Sequence, residues 1–124
     1  MSCVFCDIAT KKSAAHIVYE DSDFIAFLDK YPKTWGHTQV IPKTHYRWVW
    51  DEPNVIQHFE VVNRIIQHYK QVLNIETCYQ TVWGNQVHHA HIQILPRYRP
   101  IHPPTLLDEA EAQTILKQLQ YKPC

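Results

Sequence analysis

The chain has 124 residues, 45% apolar and 19% charged, enough for one packed core and too few for two. Twelve Lys and Arg balance twelve Asp and Glu, so no basic tract is available to follow a nucleic-acid polymer, although phosphate can still be gripped by backbone N–H groups and histidine. The only glycines, Gly36 and Gly84, leave no GxGxxG or GxxxxGK loop, which excludes P-loop and Rossmann nucleotide sites.

No basic stretch followed by an apolar run opens the sequence, and no window suits a bilayer span. A cytoplasmic protein with no membrane partner is expected. In a reducing compartment the four cysteines are expected as thiols or metal ligands. Cys3 and Cys6 have CxxC spacing, which lets both sulfurs reach one ion from a single turn; a redox pair and two unlinked thiols are the alternatives. Cys78 reads as a strand residue and Cys124 as a tail residue.

Residues 17–20 and 24–29 are short apolar runs around Asp21-Ser22-Asp23 and predict a hairpin. Residues 38–41 predict a third strand, stopped by Pro42. Residues 45–50 are either a fourth extended piece or a loop leading into a helix. From Val55 to Leu73 the residues Val55, Phe59, Val62, Ile66, Tyr69 and Leu73 recur at steps of four and three, the period of an amphipathic helix, with Pro53 near its first turn. Residues 77–83 and 87–95 predict two antiparallel strands joined tightly by Gly84-Asn85-Gln86. Thr105 with Asp108 three residues on resembles a capping box opening a short helix to about 120, expected on the surface or against a partner subunit. The fold class is α+β: an antiparallel sheet of about five strands, one long helix and a short C-terminal helix.

The chemistry concentrates in residues 87–95. Side chains on a strand alternate faces, so His89, His91 and Gln93 share one side while His88, Ala90, Ile92 and Ile94 share the other. A polar row on a strand otherwise suited to burial is costly unless each member is hydrogen-bonded, metal-bound or facing a ligand. A neutral imidazole is a good nucleophile toward phosphorus and a reasonable leaving group, which suits two-step nucleotidyl transfer. The other histidines, His16, His58, His68 and His102, have no partner spacing and are expected at the surface. Trp35 either closes over a ligand or packs.

His89-Ala-His91-Ile-Gln93 resembles the histidine triad (HIT) motif, with glutamine in the third place. The resemblance extends over Cys3-Val-Phe-Cys6-Asp-Ile8, Ala26-Phe27-Leu28-Asp29, the run from Gly36 to His45, and Leu95-Pro96-Arg97, in the family's order and over roughly the first hundred residues. On this resemblance residues 1–100 form the HIT domain, and 101–124 extend the same domain. The resemblance implies that His91 is the nucleophile that attacks the α-phosphate and carries a nucleoside monophosphate, that His37 joins the hydrogen-bond chain orienting it, and that Gln93 holds the phosphate. It implies that Asp29 binds the ribose hydroxyls, that Phe5, Ile8 and Phe27 form an apolar wall against the base, and that Asn85 lies near the phosphates.

Glutamine in the third place is similar to the uridylyltransferase branch, and it cannot protonate a leaving group as a histidinium does. The family's glycine-rich loop is shortened here to Gly84-Asn85-Gln86. The resemblance further implies a structural zinc ion on Cys3, Cys6, His45 and His89, and a homodimer joined through sheet edges and long helices, with which Trp48 and Trp50 are compatible. The expected activity is nucleotide hydrolysis or transfer, of dinucleoside polyphosphate or phosphoramidate type, with a purine nucleotide favoured. The alternative is a nucleotide-binding, zinc-stabilised interaction module without turnover.

Overall fold

The structure, a computed structural model, describes residues 3–122, so Cys124 lies outside the described residues. In chain order the elements are α1 (Val4–Ala9), β1 (Ile17–Glu20), β2 (Phe24–Leu28), β3 (Thr38–Pro42), α2 (Val55–Leu73), β4 (Tyr79–Val82), β5 (Ile92–Leu95) and α3 (Glu109–Leu119). The five strands form one antiparallel sheet in the order β1-β2-β3-β5-β4. The α+β architecture expected above is therefore present.

The sheet has two differently used faces, set by alternation along β2, β3 and β5. Ala26, Leu28, Val40, Ile92 and Ile94 face α2 and α3 and join Val62, Ile65, Tyr69, Ile115 and Leu119 in the main core. Ile25, Phe27 and Ile41 face the other way and meet Phe5 and Ile8 of α1. That second face also carries Gln39 and Gln93, which pair across β3 and β5, whereas Thr38 faces the main core and meets the Tyr69 hydroxyl.

Several expectations are corrected. The buried stripe of α2 is His58, Val61, Val62, Ile65, Tyr69 and Leu73, while Phe59 is exposed and Val55 and Ile66 are half-buried. His58 is thus the most deeply buried of the four histidines expected at the surface. Its Nε2–H donates to the Val40 carbonyl at 2.9 Å, and Nδ1 meets Glu52 Oε2 at 2.7 Å. His68 and His16 are half-buried, bonded to the Leu119 carbonyl and to Glu109; His102 is exposed. Pro53 precedes the helix, whose N-cap is Asn54. Of the two readings of residues 45–50 the loop leading into the helix holds: they form no strand, and Val49–Asp51 make a short 3-10 turn. For Trp35 the packing alternative holds, since it is buried in the main core.

The C-terminal helix opens at Asp108 rather than Thr105: the Asp108 carboxylate accepts the Glu111 N–H at 3.0 Å. It buries Ala112, Ile115 and Leu119 in its own chain's core instead of offering them to a partner. The β4–β5 connection is also longer than expected. Val82 pairs with Ile92, so the ladder opens only at Ile92 and residues 83–91 are outside it. The His89 carbonyl accepts the His91 ring N–H and the Ala90 N–H goes to the Tyr46 carbonyl, so these groups are taken before β4 can pair with them.

Candidate functional site

Alternation survives where the ladder does not. His89, His91 and Gln93 are all buried on the α1 side, while Ala90 is in the main core and His88 is exposed. Phe5 of α1 stands edge-on to the rings of Phe27 and His91, at centroid separations of 5.2 and 5.3 Å, which ties the apolar wall to the histidine segment.

The hydrogen bonds decide the tautomers. His91 Nδ1 lies 2.7 Å from the His89 carbonyl, and a carbonyl only accepts, so Nδ1 carries the proton and Nε2 of the neutral ring is bare. Burial holds the His91 pKa below the ordinary imidazole value. His91 is buried, with 4% of its surface exposed.

His37 is placed by Gly36, whose φ of +85° turns the chain into β3 just before it. The Lys33 N–H donates to His37 Nδ1 at 3.1 Å, so the proton is on Nε2, which donates to Gln93 Oε1 at 2.8 Å. His37 is hydrogen-bonded to the third motif position, not to His91. With its oxygen so used, the Gln93 amide turns its NH2 the other way. Burial keeps His37 below the ordinary value as well.

Gln39 was missed by the sequence reading. It faces Gln93 across the β3–β5 ladder, and its Nε2 donates to Asp29 Oδ2 at 2.8 Å. Alternation on β3 was the available signal, since Gln39 is two residues from His37. Asp29 is half-buried, and its Oδ1 accepts the Tyr31 N–H at 2.8 Å. Asn85 is exposed in the 83–91 segment, and Phe5, Ile8 and Phe27 are buried beside the polar row.

Cys3, Cys6, His45 and His89 bring one donor atom each into a cluster whose members lie within 4.8 Å of one another. The two Nδ1 atoms are 3.2 Å apart, and three of the four sulfur-to-nitrogen distances, Cys3–His89, Cys6–His45 and Cys6–His89, are 3.3 to 3.4 Å. A tetrahedral ion with Zn–N of about 2.0 Å and Zn–S of about 2.3 Å needs nitrogen pairs at about 3.3 Å and mixed pairs at about 3.5 Å. The donor set fits. His89 Nε2–H donates to the Pro42 carbonyl at 2.8 Å, which leaves Nδ1 bare toward the other donors, and burial pushes its pKa down to about 4. Burial and the neighbouring Cys3 push the Cys6 thiol up to about 11, so a cation is needed to hold that sulfur as thiolate at neutral pH.

A model of the HIT domain family matches residues 10–100. The chain belongs to the HIT family. An uncharacterized HIT-like protein of Methanocaldococcus jannaschii is 35% identical over 102 residues, covering 77% of this chain and 79% of that protein. Among solved structures, a hypothetical histidine triad nucleotide-binding protein of Sulfolobus tokodaii superposes with a TM-score of 0.83 at 26% identity, covering 95% of this chain and 89% of that one. A zinc-bound histidine triad protein of Mycobacterium smegmatis gives 0.74 at 30% identity, covering 96% and 94%. The HIT fold accounts for the five-stranded sheet, the long helix and the short C-terminal helix together.

Proposed function

We propose that this HIT protein hydrolyses or transfers nucleotides at the α-phosphate through a covalent nucleotidyl intermediate on His91. The observation that carries this reading is the bond from His91 Nδ1 to the His89 carbonyl, which leaves Nε2 unprotonated and aimed by a rigid backbone group. Gln93, held by His37, offers its NH2 to a phosphate oxygen. Asp29 has lone pairs left for ribose hydroxyls after its bonds to Tyr31 and Gln39, and Phe5, Ile8 and Phe27 form the wall against a base, a purine filling it best. Asn85, exposed in the 83–91 segment, is the polar side chain that this reading assigns to the phosphates. Because His91 is 4% exposed, the reading requires the wall and loop to give way as a nucleotide enters.

In the same reading Cys3, Cys6, His45 and His89 hold one zinc ion, which binds α1 to the segment that carries the nucleophile. Two chains pair through the β4 edge and exposed apolar residues of α2, and the protein works in the cytoplasm.

Incubation with an adenosine phosphoramidate and with a diadenosine tetraphosphate, followed by acid-free mass mapping, tests the chemistry. An adenylyl adduct on His91, absent from His91→Ala, is expected. Binding without turnover, or an adduct on another residue, sinks it; the former favours a binding module.

A further inference from the structure

Arg47 stands beside the nucleophile segment with no acid to neutralise it. The Tyr46 carbonyl accepts the Ala90 N–H at 2.7 Å, so the stretch carrying Arg47 runs directly against the one carrying His91. The guanidinium carbon is 3.6 Å from the centroid of the Trp48 ring, and Trp48 stacks on Trp50 with centroids 4.8 Å apart and planes 10° from parallel. Such stacking fixes the plane of an arginine. Gly84 leaves room for this platform: a Cβ there would lie 2.6 Å from a Trp48 ring carbon and 3.4 Å from Arg47 Nη1.

The guanidinium is incompletely satisfied. Its Nη1 is buried without a hydrogen-bond partner, and no carboxylate forms an ion pair with Arg47 among the described residues. A positive group held rigid, unpaired and partly desolvated beside Gly84, on the stretch that runs against Ala90, is an anion site in need of an anion.

We propose that Arg47 binds the phosphate chain leaving the α-phosphorus, so that this protein selects nucleotides with a polyphosphate leaving group over those with an amine. The inference rests on the nucleotidyl-transfer reading above. In that step His91 Nε2 forms a bond to phosphorus while the bond from phosphorus to the bridging oxygen breaks. The electron pair goes to that oxygen, and the phosphate chain departs as an anion with no proton required. Water then displaces the imidazole, giving the nucleoside monophosphate and one proton to solvent. An amine, in contrast, must gain a proton as its bond to phosphorus breaks. The Gln93 amide has no proton to give, and a guanidinium stabilises by charge and by its fork of N–H donors without acting as an acid. Gln93 and Arg47 thus favour the same leaving group.

Two measurements on the full chain test the assignment. By titration calorimetry, tripolyphosphate alone binds the native protein, and Arg47→Gln weakens it by about tenfold or more, with Arg47→Lys between the two. In kinetics, the ratio of kcat/KM for diadenosine tetraphosphate over adenosine phosphoramidate falls by about tenfold or more in Arg47→Gln. Equal tripolyphosphate affinity for native and Arg47→Gln overturns the proposal, as does an equal fall for both substrates, which marks a structural role. Tripolyphosphate binding by His91→Ala reports separately on the anion site, because it involves no nucleotidyl transfer, while the His91 adduct formed from diadenosine tetraphosphate reports on the transfer itself.

Discussion

His37 and Gln93 fix each other's protons, and this makes the site sensitive to acid. His37 accepts from the Lys33 N–H and donates to Gln93, an arrangement available only to the neutral ring, and burial holds its folded pKa below 6.5. An unfolded chain takes up that proton near 6.5, so below that pH the unfolded state binds a proton the folded state refuses. The stability this group contributes is present above about 6.5 and is lost as pH falls. Denaturant midpoints from about pH 7.5 down to about 5.5 are expected to drop more steeply for the native chain than for His37→Gln. Matching slopes would remove His37 as the cause. At this scale the sequence showed residue types and faces: the HxHxQ row put His89, His91 and Gln93 on one side before any coordinates. It could not show Gln39, whose importance lies in its bond to Asp29 ten residues away, nor that His37 meets Gln93, which depends on the β3–β5 register.

Elements differ in how clearly a sequence announces them. The long helix and first hairpin were legible because their periodicity is local. Six-residue α1 was not, since it is too short to show a period and is held by tertiary contacts: Cys3 caps it by accepting the Cys6 N–H at 3.3 Å, and Phe5 and Ile8 face the sheet. If zinc joins α1 to His45 and His89, the purified protein carries about one zinc per chain and Cys3→Ser loses most of it, by elemental analysis. Unchanged zinc in that variant would remove Cys3 from the ligand set. The other side of the sheet has a buried pair around His58, which was expected at the surface because it has no partner spacing in the sequence. Glu52 and His58 side chains are fully buried and bonded, with His58 stacked on Phe24 and Glu52 Oε1 without a partner. Removing one member strands the other, so His58→Leu is expected to cost about 3–5 kcal/mol in chemical denaturation, while adding Glu52→Met recovers much of the loss. A double variant no more stable than the single one would show that the pair's charge is not the source of the cost.

At the scale of the molecule, the composition excluded more than it specified, and the strand order followed from contacts that no local pattern encodes. What the assembled sheet adds is an unprotected edge. All four β4 residues are exposed, with Tyr79 at 48% and Val82 at 39%, and Trp83 follows at 60%. On α2, Ile56 and Phe59 are likewise left outside at 70% and 40%. An edge strand presents a row of unpaired N–H and C=O groups, and an edge this apolar invites pairing unless charge or proline blocks it. Neither stands within residues 79–83. Pairing of two β4 edges would satisfy that row and extend the sheet across both chains, with the exposed residues of α2 available to the same partner. Sedimentation equilibrium of the native protein is therefore expected to return twice the 14.7 kDa chain mass. Val82→Lys, which places a charge on the edge and leaves the buried faces untouched, is expected to return one chain mass with an unchanged far-ultraviolet spectrum. A native protein that sediments as one chain, or a dimer indifferent to both Val82→Lys and Phe59→Glu, would place neither surface at an interface.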